Sequence, residues 1–295
     1  MNYMFKGVCP VINVPFSENE EIDFEGLESI IEFSLKQGVK SLCIFAFNSE
    51  PHKMTAEEKK RTISFFLEKV NKRAETLVGL IDNSIRAVSE LGLTAKAGGA
   101  DAVILYPPAL STPSGGNLLN YFKTIADTVG LPVMIQDNPR STGVTMSTEF
   151  LLEAFNAIES FNYLKVECPI ATRKMKELTK LTDGKLKCYS GNGGIFAIDA
   201  FLSGAWGIMP GITIANKFIR LYDLMENGEV SNARDLFEKI LPFVWFEDQS
   251  MEFYISCEKE ILKREGVIKN AAARKPACLL SQAEKDELIA LYRRL

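Results

Sequence analysis

Val8-Cys9-Pro10-Val11-Ile12-Asn13-Val14-Pro15-Phe16-Ser17 is the stretch on which the fold turns. An apolar run of strand character ends in Pro-Phe-Ser. A doubly wound open sheet usually carries a glycine-rich phosphate loop after its first strand, and none stands here. Seven further apolar runs follow: Ser41–Phe45, Thr76–Leu80, Ala102–Leu105, Val133–Gln136, Tyr163–Val166, Leu186–Ser190 and Gly207–Met209. Segments between them place apolar residues at helical spacing, as in Leu27, Ile30, Ile31 and Leu35. Thr55 with Glu58, and Ser281 with Glu284, have the spacing of capping boxes. Gly38, Gly99 and Gly204 follow helical patterns where the chain must turn back. Eight strand–helix units in 295 residues predict an α/β fold, a (β/α)8 TIM barrel. The predicted barrel covers residues 1–230. Residues 231–295 read as helices packed on it within one structural unit, because no Pro/Ser/Gly linker intervenes.

Composition narrows the function. Lys plus Arg is 34 and Asp plus Glu is 38, a formal charge of −4 without the basic excess of a nucleic-acid binder. No apolar run approaches the roughly 20 residues of a spanning helix, and no secretory signal pattern opens the chain. The six cysteines are scattered without metal-ligand spacing, and His52 is the only histidine. We therefore expect no metal site, reduced thiols, a cytoplasmic location, and no nucleic-acid or membrane partner. His52, Trp206 and Trp245 read as loop, packing or interface residues.

The sixth strand reads Asn162-Tyr163-Leu164-Lys165-Val166-Glu167-Cys168. Side chains alternate along a strand, so Leu164 and Val166 face the helices while Tyr163, Lys165 and Glu167 point inward. Lys165 and Glu167 stand at the C-terminal end, where barrel enzymes place their active sites. Burial favours a neutral amine, the form that attacks a carbonyl to make a Schiff base. A neighbouring carboxylate opposes that effect, and after condensation it balances the iminium and moves a proton. The competing interpretation is an ion pair that only fills the barrel. Strand two breaks into Asn48-Ser49-Glu50, where backbone N–H groups could hold a carboxylate or simply turn the chain. Strand five ends Gln136-Asp137-Asn138-Pro139, with Gln136 on the inward face, and strand seven ends Ser190-Gly191-Asn192. Both also read as ordinary turns.

Together these segments resemble the dihydrodipicolinate synthase / N-acetylneuraminate lyase family. The likeness runs from Val14-Pro15-Phe16 through Ser49-Glu50, Pro139, Thr142-Gly143, Leu164-Lys165, Ser190-Gly191 and Gly204-Ala205-Trp206-Gly207 to Arg274-Lys275-Pro276. Lys165 falls on the family's Schiff-base lysine. The family's Gly-Thr-Thr-Gly-Glu loop is here Ala46-Phe47-Asn48-Ser49-Glu50. Its strand-five tyrosine is Gln136, its loop tyrosine is Ala109, and its substrate-binding arginine is Ser141 with Arg140 one position earlier. Ser49-Glu50, Gln136-Asp137-Asn138-Pro139 and Lys165-Val166-Glu167 look closer to the L-2-keto-3-deoxyarabonate dehydratase branch. The resemblance implies Lys165, Glu167 and Gln136 as catalytic residues and a 2-oxo acid held by Asn48, Ser49, Gly191, Asn192 and Met209. It implies no cofactor beyond a covalent imine on Lys165, and a homotetramer or dimer. The expected reaction is dehydration of a 2-keto-3-deoxy sugar acid. The alternatives are a pyruvate-dependent aldolase or lyase and a non-catalytic sugar-acid binding barrel.

Overall fold

The computed structural model describes residues 4–295. Eight parallel strands alternate with helices. The strands are β1 (Gly7–Val8), β2 (Ser41–Ile44), β3 (Glu75–Leu80), β4 (Ala102–Leu105), β5 (Val133–Asp137), β6 (Phe161–Val166), β7 (Lys187–Ser190) and β8 (Gly207–Ile208). The helices of the first half are α1 (Phe24–Lys36), α2 (Ala56–Val70), α3 (Ile85–Ala97), α4 (Gly115–Val129), α5 (Pro139–Thr142) and α6 (Thr148–Ala157). Those of the second are α7 (Ala171–Leu181), α8 (Ala197–Leu202), α9 (Ala215–Glu226), α10 (Val230–Glu247), α11 (Met251–Arg264) and α12 (Gln282–Tyr292).

Strands pair in sequence order from β2 round to β8 and then β1. The ring closes between β1 and β2 through single bridges, with Val11 beside both Cys43 and Gly211. Here the structure differs from the expectation of a continuous strand over Val8–Val14. Pro10 has no N–H to give a ladder. Its carbonyl still accepts the Cys43 N–H at 2.9 Å, and single backbone bonds run on from Cys9, whose N–H donates to Ile208 O at 3.0 Å, to Val11, whose N–H donates to Pro210 O at 2.9 Å, and Ile12, whose N–H donates to Cys43 O at 2.9 Å. The thirteen-residue interior cluster includes Cys9, Cys43, Leu77, Ile104, Met134, Tyr163 and Tyr189. Leu164 and Val166 instead join the cluster under the helices. The alternation read along the sixth strand therefore holds.

Helix signals behave as their chemistry requires. Both capping boxes form, Thr55 with Glu58 and Ser281 with Glu284. Gly38, Gly99 and Gly204 all take positive φ. A separate apolar cluster joins α8 and α9 to α10, α11 and α12 through Phe218, Ile240, Phe243, Cys257, Ile261 and Leu288. The segment after α11 is tied back to the first half of the chain. The Arg274 guanidinium lies 4.5 Å from the Phe16 ring centroid and donates to the Glu58 carboxylate at 2.7 and 2.9 Å.

That guanidinium holds the Glu58 carboxyl at about 2, well below its ordinary 4.5. A carboxyl depressed by folding stabilises the fold above its unfolded value, and the contribution is lost as pH falls through the folded one. The melting temperature is therefore expected to fall between pH 4.5 and pH 2 by more in the native chain than in Glu58→Gln. Calorimetric melts of both across that window check it.

Candidate active site

Gln136 and Lys165 sit side by side on β5 and β6, and Lys165 pairs with Tyr189 on β7. Their side chains reach a cleft at the C-terminal mouth of the barrel, about 600 Å³ with its open end included. Beneath lie Cys9 and Cys43, both fully enclosed. Burial pushes the Cys9 thiol up to about 12 and the Cys43 thiol well above its usual range, so the floor is neutral.

Glu167 organises the cleft. Its Oε1 lies 3.2 Å from Lys165 Nζ and accepts the Asn192 N–H at 2.9 Å. Its Oε2 accepts the Gln136 amide and, at 2.9 Å, the Asn138 amide. Four donors from the ends of three strands thus fix one carboxylate. The Asn138 amide is itself oriented, because its Oδ1 accepts the Ser141 N–H at 3.0 Å at the start of α5. Gln136 is 1% exposed, and its Oε1 has no hydrogen-bond partner. A buried acceptor left open inside a cleft requires a donor from elsewhere.

The loop after β2 is held by backbone left-handedness at both ends, Phe45 at φ 64° and Glu50 at φ 59°. Non-glycine residues rarely adopt this region, and they do so where surrounding structure enforces it. Tyr106 Oη donates to Phe45 O at 3.0 Å, and Gly79 leaves room for that carbonyl, which would stand 1.9 Å from an added Cβ. Between them Phe47–Ser49 forms a 3-10 turn. Asn48 lines the cleft, its own amide donating to Val11 O at 3.3 Å. Ser49 does not line it. Its hydroxyl accepts the Phe45 N–H at 2.9 Å and donates to Ile12 O at 2.6 Å, and its N–H is taken by Ala46 O at 3.0 Å. Ser49 is committed to holding the loop, so the N–H expected to hold a carboxylate is already used. Among the described residues, the Phe47 and Asn48 N–H groups remain without an acceptor.

Of the other expected residues, Asn192 and Met209 line the cleft. Gly191 does not, and its service is different. A Cβ there would stand 1.9 Å from Glu167 Oε1, so glycine leaves space for the carboxylate rather than for a ligand. The reading of the sequence named Arg140 only as the neighbour of a replaced arginine, and it missed the wall supplied by the later helices, Asp248, Met251 and Tyr254. These come from the α10–α11 junction, which strand-end reasoning does not reach. The only signal was the break between two helical patterns before Ser250, the N-cap of α11. Behind this wall burial pushes Glu258 up to about 7 and Glu247 well above the usual carboxyl range. The Tyr254 phenol, buried and beside both, is also raised and stays neutral. Phe47 packs edge-on against Tyr106, ring centroids 5.2 Å apart, so no hydroxyl relay passes through that position. Ala109 lies exposed on its loop. Among the described residues no cluster of potential metal ligands is present, and no helix is long and apolar enough to cross a membrane.

Comparison with known proteins places this geometry. Residues 4–294 match the model of the dihydrodipicolinate synthetase family. The chain is 26% identical over 294 residues to L-2-keto-3-deoxyarabonate dehydratase of Azospirillum brasilense, covering 98% of this chain and 94% of that protein. It is 30% identical over 240 residues to 4-hydroxy-tetrahydrodipicolinate synthase of Staphylococcus carnosus, covering 78% of each. Among solved structures, a prophage protein of the dihydrodipicolinic acid synthase family from E. coli K12, in complex with pyruvate, superposes with a TM-score of 0.92. It is 23% identical, with 99% of each chain covered.

Gly191→Ala is expected to leave the fold intact and displace the Glu167 carboxylate. Turnover should fall by at least about tenfold while the circular dichroism spectrum is unchanged, which steady-state assays of the purified variant check.

Proposed function

Because the chain belongs to the dihydrodipicolinate synthetase family, we propose that it is a Schiff-base lyase which dehydrates a 2-keto-3-deoxy sugar acid. The observation that carries this reading is the Lys165–Glu167 pair at 3.2 Å within an open cleft. An amine able to reach a ketone and a fixed carboxylate two residues further on supply the nucleophile and the proton carrier that dehydration needs.

The Lys165 amine adds to the C2 ketone and water leaves, giving a cationic imine. The cation acidifies C3–H. Glu167 takes that proton, and the electron pair forms an enamine. The enamine expels the C4 hydroxyl, which leaves as water with the proton that Glu167 returns. Loss of a proton each from C5 and its hydroxyl, with protonation at C3 and C4, turns the resulting C3=C4 alkene with its C5 hydroxyl into a C5 aldehyde, and hydrolysis of the imine, which takes up one water, releases this semialdehyde and restores the amine. The net change is loss of one water. Phe47 and Asn48 N–H groups hold the C1 carboxylate, and the open Gln136 Oε1 accepts a substrate hydroxyl or the departing water. No metal or organic cofactor is needed, because the iminium is the electron sink.

Two features favour dehydration over tyrosine-assisted aldol chemistry. Gln136 stands where the resemblance sets a tyrosine, and Phe47 where it sets a threonine. The 4-hydroxy-tetrahydrodipicolinate synthases among the relatives support a second reading, a pyruvate-dependent carbon–carbon lyase. The two differ in product, a semialdehyde against pyruvate.

Borohydride in the presence of a 2-oxo acid is expected to add the reduced adduct to Lys165, located by peptide mass mapping. Glu167→Gln is expected to keep that adduct and lose at least about a hundredfold in turnover. An adduct elsewhere, or full turnover in Glu167→Gln, would overturn the mechanism. Release of pyruvate rather than a semialdehyde would select the second reading.

A further inference from the structure

Among the described residues, four charged groups line the cleft: Lys165 and Glu167 at its base, Arg140 and Asp248 at its outer wall. The inner pair is assigned above. The outer pair has no role in the mechanism, yet it meets whatever extends beyond the reacting carbons. Arg140 lies on α5, and Asp248 caps the C-terminus of α10.

Arg140 is not a free cation. Its Nη2 donates to Gln249 O at 3.0 Å, and its Nη1 lies 3.8 Å from Asp248 Oδ2. It therefore sits at the negative end of α10, beside a carboxylate, where a guanidinium is well placed. Asp248 is the less exposed partner, 29% against 61% for the arginine side chain. A long contact to one guanidinium nitrogen leaves most of its acceptor capacity unused.

We propose that Asp248 makes the outer cleft favour 2-oxo acids whose far end is uncharged, a hydroxyl-bearing one included, over those ending in a second carboxylate. The inference rests on the 2-oxo acid reading above and adds a specificity residue to it. A substrate with one carboxylate brings the cleft to three negative groups against two positive ones, counting the iminium in place of the ammonium. A dicarboxylic substrate makes it four against two, with the new charge beside Asp248. The field already acts there. Burial raises the Asp248 carboxyl, Arg140 lowers it, and Glu167 raises it again. A further carboxylate would feel the same repulsion from Asp248 and Glu167. A hydroxyl meets the opposite situation, since it can donate to Asp248.

The probes are two five-carbon acids, 2-oxopentanoate and 2-oxoglutarate, titrated calorimetrically into the native protein and into Asp248→Asn. Native protein is expected to bind 2-oxopentanoate at least about tenfold more tightly at low salt. The gap should narrow as salt rises, because screening weakens like-charge repulsion. Asp248→Asn is expected to narrow it severalfold by improving 2-oxoglutarate binding. Equal affinities in the native protein would overturn the proposal, as would a gap that ignores both salt and the substitution. Borohydride mapping on the same samples keeps the two readings apart. An affinity gap without an adduct on Lys165 removes the imine and leaves the charge selection. An adduct formed with equal affinities does the reverse.

Discussion

A single carboxylate, that of Glu167, is the constraint to which the other elements of the cleft are fitted. It draws one donor each from Lys165, Gln136, Asn138 and Asn192. Breaking a buried ion pair leaves a charge without compensation and typically costs about 3–5 kcal/mol. The strand ends of β5, β6 and β7 are therefore held in mutual register by the groups that face a ligand. Gly191 belongs to the same arrangement although it contributes no polar atom, because any larger residue would occupy the space of Glu167 Oε1. Rigidity and chemistry coincide here: the contacts that keep the carboxylate in place also keep it beside the amine.

The molecule contains another enclosed lysine, and the contrast is instructive. Burial pulls the Lys259 ammonium down to about 8, against the upward pull of Glu50. By desolvation alone it would be a strong nucleophile candidate. Yet its amine is spent on the Glu50 carboxylate and on Ala272 O at 3.1 Å, and it lies 4.4 Å from the Phe16 ring centroid. It does not line the cleft at the mouth of the barrel. Lys165 is also buried but opens onto it. Access to a ligand, more than removal from water, separates a reactive amine from a structural one. Glu50 is the hinge of this distinction: its second oxygen accepts Lys53 Nζ and the Arg274 N–H, so the loop after β2 is clamped from behind.

Periodicity carried the barrel, because eight apolar runs separated by helical spacing leave few alternatives. The inward direction of Lys165, Glu167 and Gln136 was legible for the same reason, since strand alternation is local. Three things were not. The interruption of the first strand depended on one proline and on which neighbour it met. The loss of Ser49 to the loop depended on Phe45 and Ile12, partners fixed only by the tertiary fold. The outer wall depended on Asp248, Met251 and Tyr254, more than eighty residues downstream of Lys165. Polar residues at a helix–helix junction read locally as a turn, and nothing in their spacing says that the turn overhangs a cleft.

The clamp on Glu50 joins positions separated by 209 residues along the chain. Translation adds about 5–20 residues per second, so the loop emerges roughly 10–40 s before its anchor exists. Through that interval Glu50, one of the two left-handed residues that bracket it, lacks the Lys259 and Arg274 contacts that hold it. The cleft is consequently among the last features of the molecule to mature, completed from the carboxyl-terminal side after most of the cylinder has been synthesised.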